Sequence, residues 1–482
     1  MITNIQKMEG CPVKKLICLT LAVLLVLSLC ACGGGGGEKT EKAGSFRVGY
    51  GRADMTPNMP MPLGGYGQSE KRIHTEVEEP LMATCVAITD EEDETVLLFS
   101  LDVINSKYAV KMRAEVENQT GVPQDHMFMA ATHTHSAPDQ NQGQAGAFIA
   151  LMQAAIVESA KAALEDRSEA EIYIGSTETE GLNFIRHYLM NDGTVYGNNF
   201  GSSASGIKAH AAPNDPELQV IKFVRNAEDK KDIIMANWQA HPCKTGGIDK
   251  TVMSSDFIGS TRRYVELQTK QHFIYFTGAA GNHNAKTELP GEKQAPSNNQ
   301  EFGIALGTDV LEAMENMTKL EPGLVSATEY KYTGKVDHTR DHLVPEAIQV
   351  KALYESTDRA TGNKLARELG LTSVYDANGV LTKSGLPETR DMNIYAISVG
   401  ELGFIGAPYE MFAAHGMYIK ENSPAAMTFV CSCCNGANSY VPTKEAFDYI
   451  CYESTIGYYV GEAGDELAQH FVRLLEEHRA AN

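Results

Sequence analysis

The chain has 482 residues, of which 43% are hydrophobic and 21% are charged, so it contains enough apolar material for a large core. Acidic residues number 62 against 41 lysines and arginines, which gives a formal charge of -21. Proteins that bind nucleic acid need a basic surface, and no basic segment stands out here. Nucleic acid is therefore not an expected partner, and no protein partner is evident from the sequence.

The first 32 residues have the pattern of an export signal. Two lysines precede an apolar run over residues 16–29, which is long enough for a signal-peptide core and short for a membrane span. The run ends in a segment that resembles the lipobox of bacterial lipoproteins, with Cys32 as the residue that would carry the lipid. Residues 33–45 form a Gly-rich, flexible tether. The sequence predicts an exported lipoprotein anchored to the membrane at the bacterial cell surface; a plain cleaved signal and an uncleaved anchor are the alternatives.

From residue 46 onward, short apolar segments alternate with amphipathic ones, which is typical of an α/β domain. The pattern predicts strands over residues 81–88 and 96–101 (a hairpin), 126–131, 218–224, 233–239, 272–276, 394–405 (two strands) and 427–433. It predicts helices from Ser106, as N-cap, to about residue 118, and over 147–164, 257–269, 301–317 and 466–477. Residues 46–482 are predicted to form a single large catalytic domain in which helices flank mixed β-sheets.

Six cysteines lie beyond the tether: Cys85, Cys243, Cys431, Cys433, Cys434 and Cys451. Export permits disulfides, but the uneven spacing gives no disulfide framework. The cluster at 431–434 is a candidate for a soft metal, although zinc sites built from cysteine usually show paired C-x-x-C spacing. We prefer the interpretation that these are thiols buried in an apolar strand.

Polar side chains follow four of the predicted strands, where each strand runs into a loop that contains Gly or Pro. They are His133 and His135, His241, Glu410 and Tyr440. Ligands bind beyond the strand ends of open α/β sheets, so these side chains can converge from distant parts of the chain. Two imidazoles and a carboxylate are the donors that a catalytic Zn²⁺ prefers, with one position left for water. At each position a histidine that only caps or packs is the alternative, and the joint pattern favours a metal site at the strand ends.

Together these segments resemble the neutral/alkaline ceramidase family, exported zinc amidases that split the N-acyl bond of ceramide. The likeness spans roughly residues 46–460 in order. The motifs that carry it are Val48-Gly-Tyr-Gly-Arg-Ala-Asp-Met-Thr-Pro57 with Pro62-Leu-Gly-Gly-Tyr-Gly67, His133-Thr-His-Ser136, Asn237-Trp-Gln-Ala-His-Pro242 with Ser254-Ser-Asp-Phe-Ile-Gly259, Pro408-Tyr-Glu410, and Tyr440-Val-Pro-Thr443 with Tyr452-Glu453.

The resemblance implies a zinc-ligand set. His133, His241, Glu410 and Tyr440 occupy the family's ligand positions, for one Zn²⁺ per chain. Such an ion lowers the pKa of its bound water toward neutrality and polarises the scissile carbonyl. A structural role for Tyr440 near the metal is the alternative.

The resemblance also implies catalytic roles. His135, Arg186 and Tyr452 match positions that the family places around the tetrahedral intermediate. A guanidinium and a phenol there would stabilise the developing oxyanion. An imidazole, with an unperturbed pKa of about 6.5, would pass a proton to the leaving amine. The backbone near Gly65 would line the same pocket. In the alternatives, His135 only orients its loop and Arg186 pairs with a nearby acid.

Two further residues are candidates for the substrate-binding site. Asp256 is either a partner that orients a ligating imidazole or a helix N-cap. His283 lies in a Gly-rich loop, where substrate contact competes with a structural role. His415, five residues after Glu410, is interpreted as a helix-face residue.

The sequence departs from the family pattern at two positions. Asn282 stands in the family's Gly-Asp loop, and Ser454 replaces the Gly that follows Tyr-Glu. Members that act on ceramide usually also carry a further C-terminal sandwich domain. These differences concern acyl and head-group specificity rather than the metal chemistry, so another N-acyl amide is also a candidate substrate.

Two hypotheses from different classes follow. The first is a zinc-dependent amidase that hydrolyses ceramide or a related N-acyl lipid. The second is a catalytically silent surface lipoprotein that binds lipid or another ligand on the same scaffold. The filled ligand and oxyanion positions favour the enzyme, because a binding protein need not keep them.

Overall fold

The computed structural model describes residues 44–67, 69–197, 205–247 and 249–481. The signal segment, most of the tether and Cys32 lie outside the described residues. The strands are β1 (Arg47–Asp54), β2 (Glu76–Glu79), β3 (Met82–Thr89), β4 (Thr95–Leu101), β5 (Met127–Ala131), β6 (Ser168–Glu178), β7 (Phe184–Ile185), β8 (His187–Met190), β9 (Val195–Gly197), β10 (Ile207–His210), β11 (Glu217–Arg225), β12 (Ile233–Trp238), β13 (Val252–Ser254), β14 (His272–Thr277), β15 (His283–Asn284), β16 (Thr318–Leu320), β17 (Val325–Lys335), β18 (Thr389–Val399), β19 (Leu402–Gly406), β20 (Glu410–Met411), β21 (Met427–Cys431) and β22 (Tyr440–Val441).

The α-helices in the same ranges are α1 (Ala109–Thr120), α2 (Ala145–Glu165), α3 (Asp256–Thr269), α4 (Asn299–Ala313), α5 (Val344–Ser356), α6 (Arg359–Glu368), α7 (Val374–Ser384), α8 (Ala413–Asn422), α9 (Lys444–Asp448), α10 (Tyr452–Ile456) and α11 (Ala463–Ala481). Short 3-10 turns lie at Ser69–Lys71, Gln124–His126 and Asp341–Leu343.

The largest sheet has nine strands in the order β14-β12-β11-β6-β1-β3-β4-β5, with β16 paired to β6 outside this path. Strands β3 and β4 form the predicted hairpin, in which Thr89 lies opposite Thr95. The pairs β4–β5 and β12–β14 are parallel, whereas the other pairs are antiparallel. The sheet is therefore mixed, and the predicted α/β class is confirmed.

Side chains alternate between the two faces of this sheet, as the pleat requires. On one face, Phe99 packs with α1 and α2, and Tyr275 packs with α3 and α4. On the opposite face, Phe276 packs against Phe404 and Phe429 of a second sheet. Full burial of such a side chain contributes roughly 1.5–3 kcal/mol, so both faces of the large sheet are stabilised by packing.

The second sheet has four strands in the order β17-β18-β19-β21, of which β19 and β21 run parallel. Its outer face packs against α8 and α11 through residues such as Ile394, Ile419 and Phe471. The architecture is thus helices, sheet, sheet and helices. The parallel strands in both sheets point their carboxyl ends toward the loops that contain the motif histidines and Glu410.

Helices α5, α6 and α7 form a segment between β17 and β18 that the strand and helix pattern did not predict. They share a small apolar cluster that includes Val350, Ala366 and Val374. Two of the helices begin with side-chain caps. Asp358 accepts from the Thr361 N–H at 2.9 Å, and Ser373 accepts from the Asp376 N–H at 3.2 Å. This segment, which we call the helical insertion (residues 344–384), reaches the functional site.

The prediction that Ser106 caps a helix is wrong. Helix α1 begins at Ala109, and its N-cap position is Tyr108. The Ser106 hydroxyl instead donates to the Cys433 carbonyl at 2.7 Å and accepts from the Gly436 N–H at 3.0 Å. A long-range contact with the loop after β21 therefore replaces the local cap. The other predicted strands and helices form, with ends that differ by a few residues.

Helix α2 is, within the described ranges, long and apolar enough to cross a membrane by composition alone. Its apolar residues Phe148 and Ile156 are buried in the cluster that includes β3 and β4. Core helices pass the same test, and we treat α2 as one of them.

Candidate metal centre and active site

The loops after β5 and β12 are held together by the end of β14. The Thr277 hydroxyl donates to the Thr132 carbonyl at 2.8 Å, next to His133. His133 itself has φ 67°, a left-handed conformation that costs a residue with a side chain on the order of 1–3 kcal/mol. Its N–H is bonded to the Val103 carbonyl at 3.0 Å. Such strain is concentrated at functional sites, and here it directs the imidazole away from its own strand.

Two imidazoles converge on one carboxylate oxygen. The Nε2 atoms of His133 and His241 lie 3.2 and 3.1 Å from Glu410 Oε2. The opposite nitrogen, Nδ1, donates to the Ile104 carbonyl at 2.6 Å in His133 and to the Ala280 carbonyl at 2.8 Å in His241. Metal-binding histidines usually hold their second ring nitrogen in this way, because the bond fixes the tautomer and the ring orientation.

Tyr440 joins this group through the backbone. Strands β20 and β22 run parallel, with Glu410 opposite Tyr440. The Tyr440 hydroxyl oxygen lies 3.5 Å from His241 Nε2. Burial, with the Glu410 carboxylate adding to it, raises the pKa of Tyr440 well above its usual value. In the absence of a cation the phenol therefore keeps its proton.

His135 is the third imidazole at the site. Its Nε2 lies 3.2 Å from His133 Nε2, and one nitrogen from each of His133, His135 and His241 lies within 4.8 Å of the others. Burial and the two neighbouring imidazoles hold the pKa of His135 well below its usual range, so the ring is neutral. Its Nδ1 is buried without a hydrogen-bond partner in the described part of the chain.

Gly65 makes room for the His135 ring. A Cβ at residue 65 would lie 2.7 Å from His135 Nδ1, and the φ of 104° at this position is one that glycine tolerates. The loop that contains Gly65 is therefore shaped around the imidazole, and its backbone lines the same cavity.

Arg186 lies between β7 and β8, and its guanidinium forms a salt bridge with Glu453. Its Nε and Nη2 atoms donate to Glu453 Oε1 at 2.8 and 2.7 Å. On the other side, Nη1 lies 3.2 Å from His241 Nε2 and Nη2 lies 3.4 Å from the Tyr440 hydroxyl. Burial and this guanidinium lower the pKa of His241 to about 4, so its imidazole is neutral at physiological pH. A neutral imidazole is the form that binds a metal.

Two of the three imidazoles, His135 and His241, border a cavity of about 460 Å³ together with Arg186. Of the residues predicted from the sequence, Gly65, His135, Arg186, His241, Tyr440 and Tyr452 line it. Sequence reasoning did not find Tyr66, Cys243, Lys244, Lys286, Arg359 and Tyr375, which also line it. Lys244 directly follows the quoted His241 loop, whereas no motif pointed to Arg359 or Tyr375 in the helical insertion.

Asp256 does not line the cavity, so the prediction that it binds substrate is corrected. It is fully buried, and its carboxylate accepts from the N–H groups of Lys244 at 3.1 Å and Thr245 at 2.7 Å. Among the contacts of the described chain it has none with an imidazole, and the N-cap of α3 is Ser255. Asp256 therefore fixes the loop that follows His241.

His283 also lies outside the cavity lining. Its ring is fully buried, with Nδ1 donating to the Ala279 carbonyl at 2.9 Å and Nε2 accepting from the Asp215 N–H at 3.0 Å. Because both nitrogens are used internally, the prediction of substrate contact is corrected to a structural role. His415 lies buried on α8, with Nε2 3.2 Å from an Asp465 oxygen.

The six cysteines beyond the tether are free thiols. Cys431 and Cys434 lie buried in the cluster between the two sheets, which agrees with the preferred interpretation of buried thiols. Cys433 Sγ lies 3.4 Å from His133 Nδ1. At the cavity wall, burial raises the pKa of the Cys243 thiol to about 11, so it is protonated and is a poor nucleophile.

The chain shares its fold with solved ceramidases. The crystal structure of the neutral ceramidase from Pseudomonas aeruginosa superimposes with a TM-score of 0.67 and 16% sequence identity, over 91% of this chain and 75% of that one. A ceramidase complexed with C2 gives a TM-score of 0.66 and 17% identity, over 91% of this chain and 76% of that one. This likeness confirms the fold that the resemblance implies. No protein-family model and no curated protein sequence matches the chain.

Proposed function

We propose that this chain is a zinc-dependent amidase that hydrolyses the N-acyl bond of ceramide or a related N-acyl lipid. The observation that carries the proposal is the convergence of His133 and His241 on one oxygen of Glu410, beside a cavity that His241 and Arg186 line. The shared fold with neutral ceramidases supports an N-acyl lipid as the substrate class.

The residues at this site fit a metal ion. Both Nε2 atoms face the carboxylate while both Nδ1 atoms are bonded to carbonyl groups, so two imidazoles and one carboxylate are oriented before any ion binds. His133, His241, Glu410 and Tyr440 would hold the ion. A bound Zn²⁺ supplies Lewis acidity, which polarises a carbonyl and makes water a nucleophile near neutral pH.

Arg186 and Tyr452 would stabilise the charge that develops on the amide oxygen. Glu453 fixes the guanidinium, so its Nη atoms are oriented without reorganisation during the reaction. Burial raises the pKa of Tyr452, so its hydroxyl remains a proton donor at the cavity wall. His135, whose Nε2 faces His133, would accept a proton from the attacking water and pass it to the leaving amine.

The location of the protein at the bacterial cell surface is part of the proposal. The apolar run over residues 16–29 and the lipobox-like segment that ends at Cys32 support export and lipidation. Labelling of cells with a fatty-acid analogue should mark the wild-type protein and leave the Cys32→Ser variant unmarked. Labelling of both would reject Cys32 as the anchor.

The competing proposal is a silent binding protein on the same scaffold. Purified zinc-loaded protein should release free fatty acid from at least one member of a panel of N-acyl amides that includes ceramide. The His241→Ala variant should release none, while His342→Ala, which removes an exposed imidazole away from the cavity, should match the wild type. No release from any amide would favour the binding protein.

A further inference from the structure

The cavity carries an excess of positive charge along its wall. Lys244, Lys286 and Arg359 line it together with Arg186, whereas no Asp or Glu lines it among the described residues. The protein as a whole has a formal charge of -21, so this local excess runs against the overall composition. A cleft lined by one sign of charge attracts ligands of the opposite sign.

The first two cations are Lys244 and Lys286, which line the same cavity as His241. Lys244 follows His241 by three residues; its Nζ donates to the Ala285 carbonyl at 2.5 Å and lies 4.7 Å from the centre of the Phe302 ring. Burial lowers the pKa of Lys244 to about 8, an effect that Lys286 increases and the buried Asp256 opposes. Both amines line the same cavity, so an anion bound there would oppose the repulsion between the two positive charges.

Lys286 has one carboxylate nearby. Its Nζ lies 3.3 Å from Glu288 Oε1, and its side chain is 55% exposed. An exposed pair of this kind contributes little to stability, so Lys286 can exchange Glu288 for a ligand at little cost.

The third cation comes from the helical insertion. Arg359 is the first residue of α6, and its Nη1 lies 3.4 Å from the Tyr375 hydroxyl. The Tyr375 ring packs edge-on against Tyr452 with centroids 5.9 Å apart, which connects the insertion to the reacting end of the cavity. No carboxylate in the described ranges lies within 4.0 Å of Arg359. Its planar fork of donors matches a carboxylate or a sulfonate.

The rest of the lining combines aromatic and polar groups. The described lining residues comprise glycines, tyrosines, cations, histidines, one Asn, one Cys and Ala285, with no Leu, Ile, Val, Met or Phe. Pockets for small ligands are lined by apolar and aromatic side chains with a few polar groups that fix the orientation of the ligand. In this cavity the tyrosines supply the apolar surface, and the cations supply the polar groups that would orient an anionic ligand.

We propose that the substrate carries an anionic group on its amine half, held by Arg359, Lys244 and Lys286, so that an N-acyl amino acid or an N-acyl aminosulfonate is preferred over neutral ceramide. The inference rests on the proposed amidase function. Water would add across the C–N bond of the amide, which gives a fatty acid and a free amino acid or aminosulfonate.

The test compares matched amides with the same acyl chain. The zinc-loaded full chain is assayed on N-lauroylglycine, N-lauroyltaurine, neutral N-lauroylethanolamine and N-lauroyl sphingosine. We expect kcat/KM for at least one anionic amide to exceed both neutral values by tenfold or more. A preference for glycine over taurine, or the reverse, identifies the anion as carboxylate or sulfonate. Equal values, or a preference for either neutral amide, would overturn the proposal and leave the amidase function intact.

Single substitutions test whether the cations that line the cavity cause the preference for anionic amides. Arg359→Gln should raise KM for the preferred anionic amide about tenfold, with kcat and the neutral amides little changed. Arg367→Gln, which removes an exposed arginine from the same helix, is the matched control and should behave as wild type. Lys286→Gln, at an exposed side chain, gives a second variant in case Arg359→Gln unfolds. An equal loss on anionic and neutral amides in both variants would overturn the proposal.

A binding measurement separates this inference from the proposed function. If no amide is hydrolysed, the amidase function fails. Calorimetry with the full chain and a chelator then compares N-lauroylglycine and N-lauroyltaurine with N-lauroylethanolamine. At least tenfold tighter binding of an anionic amide, reduced in Arg359→Gln and retained in Arg367→Gln, supports the anion site. Equal binding of the three ligands overturns it.

Discussion

Two buried groups in this protein combine histidine and glutamate, and they differ in how their ligand atoms are used. In the first, His133 and His241 share one Glu410 oxygen beside the cavity. In the second, both Glu453 oxygens are taken, one by Arg186 and the other by His187 Nε2 at 3.0 Å. We call the second group the Glu453 cluster; it also includes Tyr449, whose hydroxyl lies 2.7 Å from His187 Nδ1, and the nearby Cys451.

Residue type alone does not separate the two regions, because the ligand atoms of His133, His135 and His241, and likewise those of His187, Cys451 and Glu453, lie within 4.8 Å of one another. In the Glu453 cluster the ligand atoms already face proton donors, and burial raises the pKa of the Cys451 thiol, so no thiolate is available. Glu453 stays ionised because His187 and Arg186 outweigh the effect of burial and hold its pKa far below the usual range. The comparison indicates that the Glu453 cluster positions Arg186, whereas in the first group the Nε2 atoms of two imidazoles meet at one carboxylate oxygen beside the cavity.

The largest effect on zinc binding and activity is expected from a substitution in the His133–His241–Glu410 group. His241→Ala removes one of its two imidazoles, so the protein should lose both bound zinc and amidase activity. Elemental analysis and fatty-acid release measure the two losses. The His187→Ala variant is the comparison, since it should keep its zinc. Zinc loss in His187→Ala with zinc retained in His241→Ala would reverse the assignment of the two groups.

The Glu453 cluster should instead control stability. Glu453→Gln leaves the buried Arg186 without its anion, and breaking such a pair typically costs about 3–5 kcal/mol. Denaturant unfolding should show this loss, while zinc content stays unchanged. Glu477→Gln removes the anion of an exposed pair with Arg473 and should cost about 0–1 kcal/mol. A loss of zinc in folded Glu453→Gln would mean that the cluster binds metal after all.

The pH dependence of stability should follow from the same carboxylate. The folded pKa of Glu453 lies below the unfolded value of about 4.3, so its contribution is fully present above that pH. The contribution is lost as the pH falls through the folded pKa. The free energy of unfolding of the wild type should therefore decrease in acid more steeply than that of Glu453→Gln. Parallel curves would contradict the assignment.

Arg186 links the two groups, so its removal tests both. Arg186→Ala should keep zinc and lower kcat by ~10²–10³, equivalent to about 2.7–4 kcal/mol, because one donor to the oxyanion is lost. If Arg186 acts only in the transition state, kcat and kcat/KM fall together. A rise in KM alone would make it a contact for the bound substrate, and zinc loss would make it a structural residue. Circular dichroism at the assay temperature confirms that the variant is folded.

The smallest effect is expected at the rim of the first group. Gly65→Ala places a Cβ 2.7 Å from His135 Nδ1 at a φ of 104°, so the loop or the ring must shift. Zinc should be retained and kcat should fall about tenfold, since a small misplacement of a catalytic group is costly. Gly121→Ala, also at positive φ but with open space around it, is the matched control. Equal activity in the two variants would show that His135 takes no part in the reaction.

The sequence predicted the parts of the site that lie in local motifs. His133, His135, His241 and Glu410 each follow a strand, and the strand pattern placed them at one end of the fold. It could not assign Glu453, although the Tyr452-Glu453 pair was part of a motif, because the partner Arg186 lies 267 residues away. The placement of a buried charge depends on such partners rather than on its neighbours in sequence.

Other residues were misjudged for the same reason. Asp256 and His283 lie in polar, Gly- or Ser-containing segments that are typical of binding loops, yet their side chains satisfy backbone groups of the protein itself. Arg359 and Tyr375 lie in helices with no recognised motif, and only the packing of the helical insertion brings them to the cavity. The periodicity of a helix predicts its buried face but not the cavity that its ends will reach.

The contacts around His133 also have a consequence for folding. Cys433 contacts His133 across 300 residues of chain, and His241 contacts Tyr440 across 199. Contacts of such high sequence separation form late, because the entropy of closing long loops is lost first. The site therefore cannot exist in a partly folded chain, and an ion held there would bind the native state alone. At a free ion concentration of 100 times Kd, such an ion would add about 2.7 kcal/mol to the free energy of unfolding, so the stability of the protein would depend on the metal available to it.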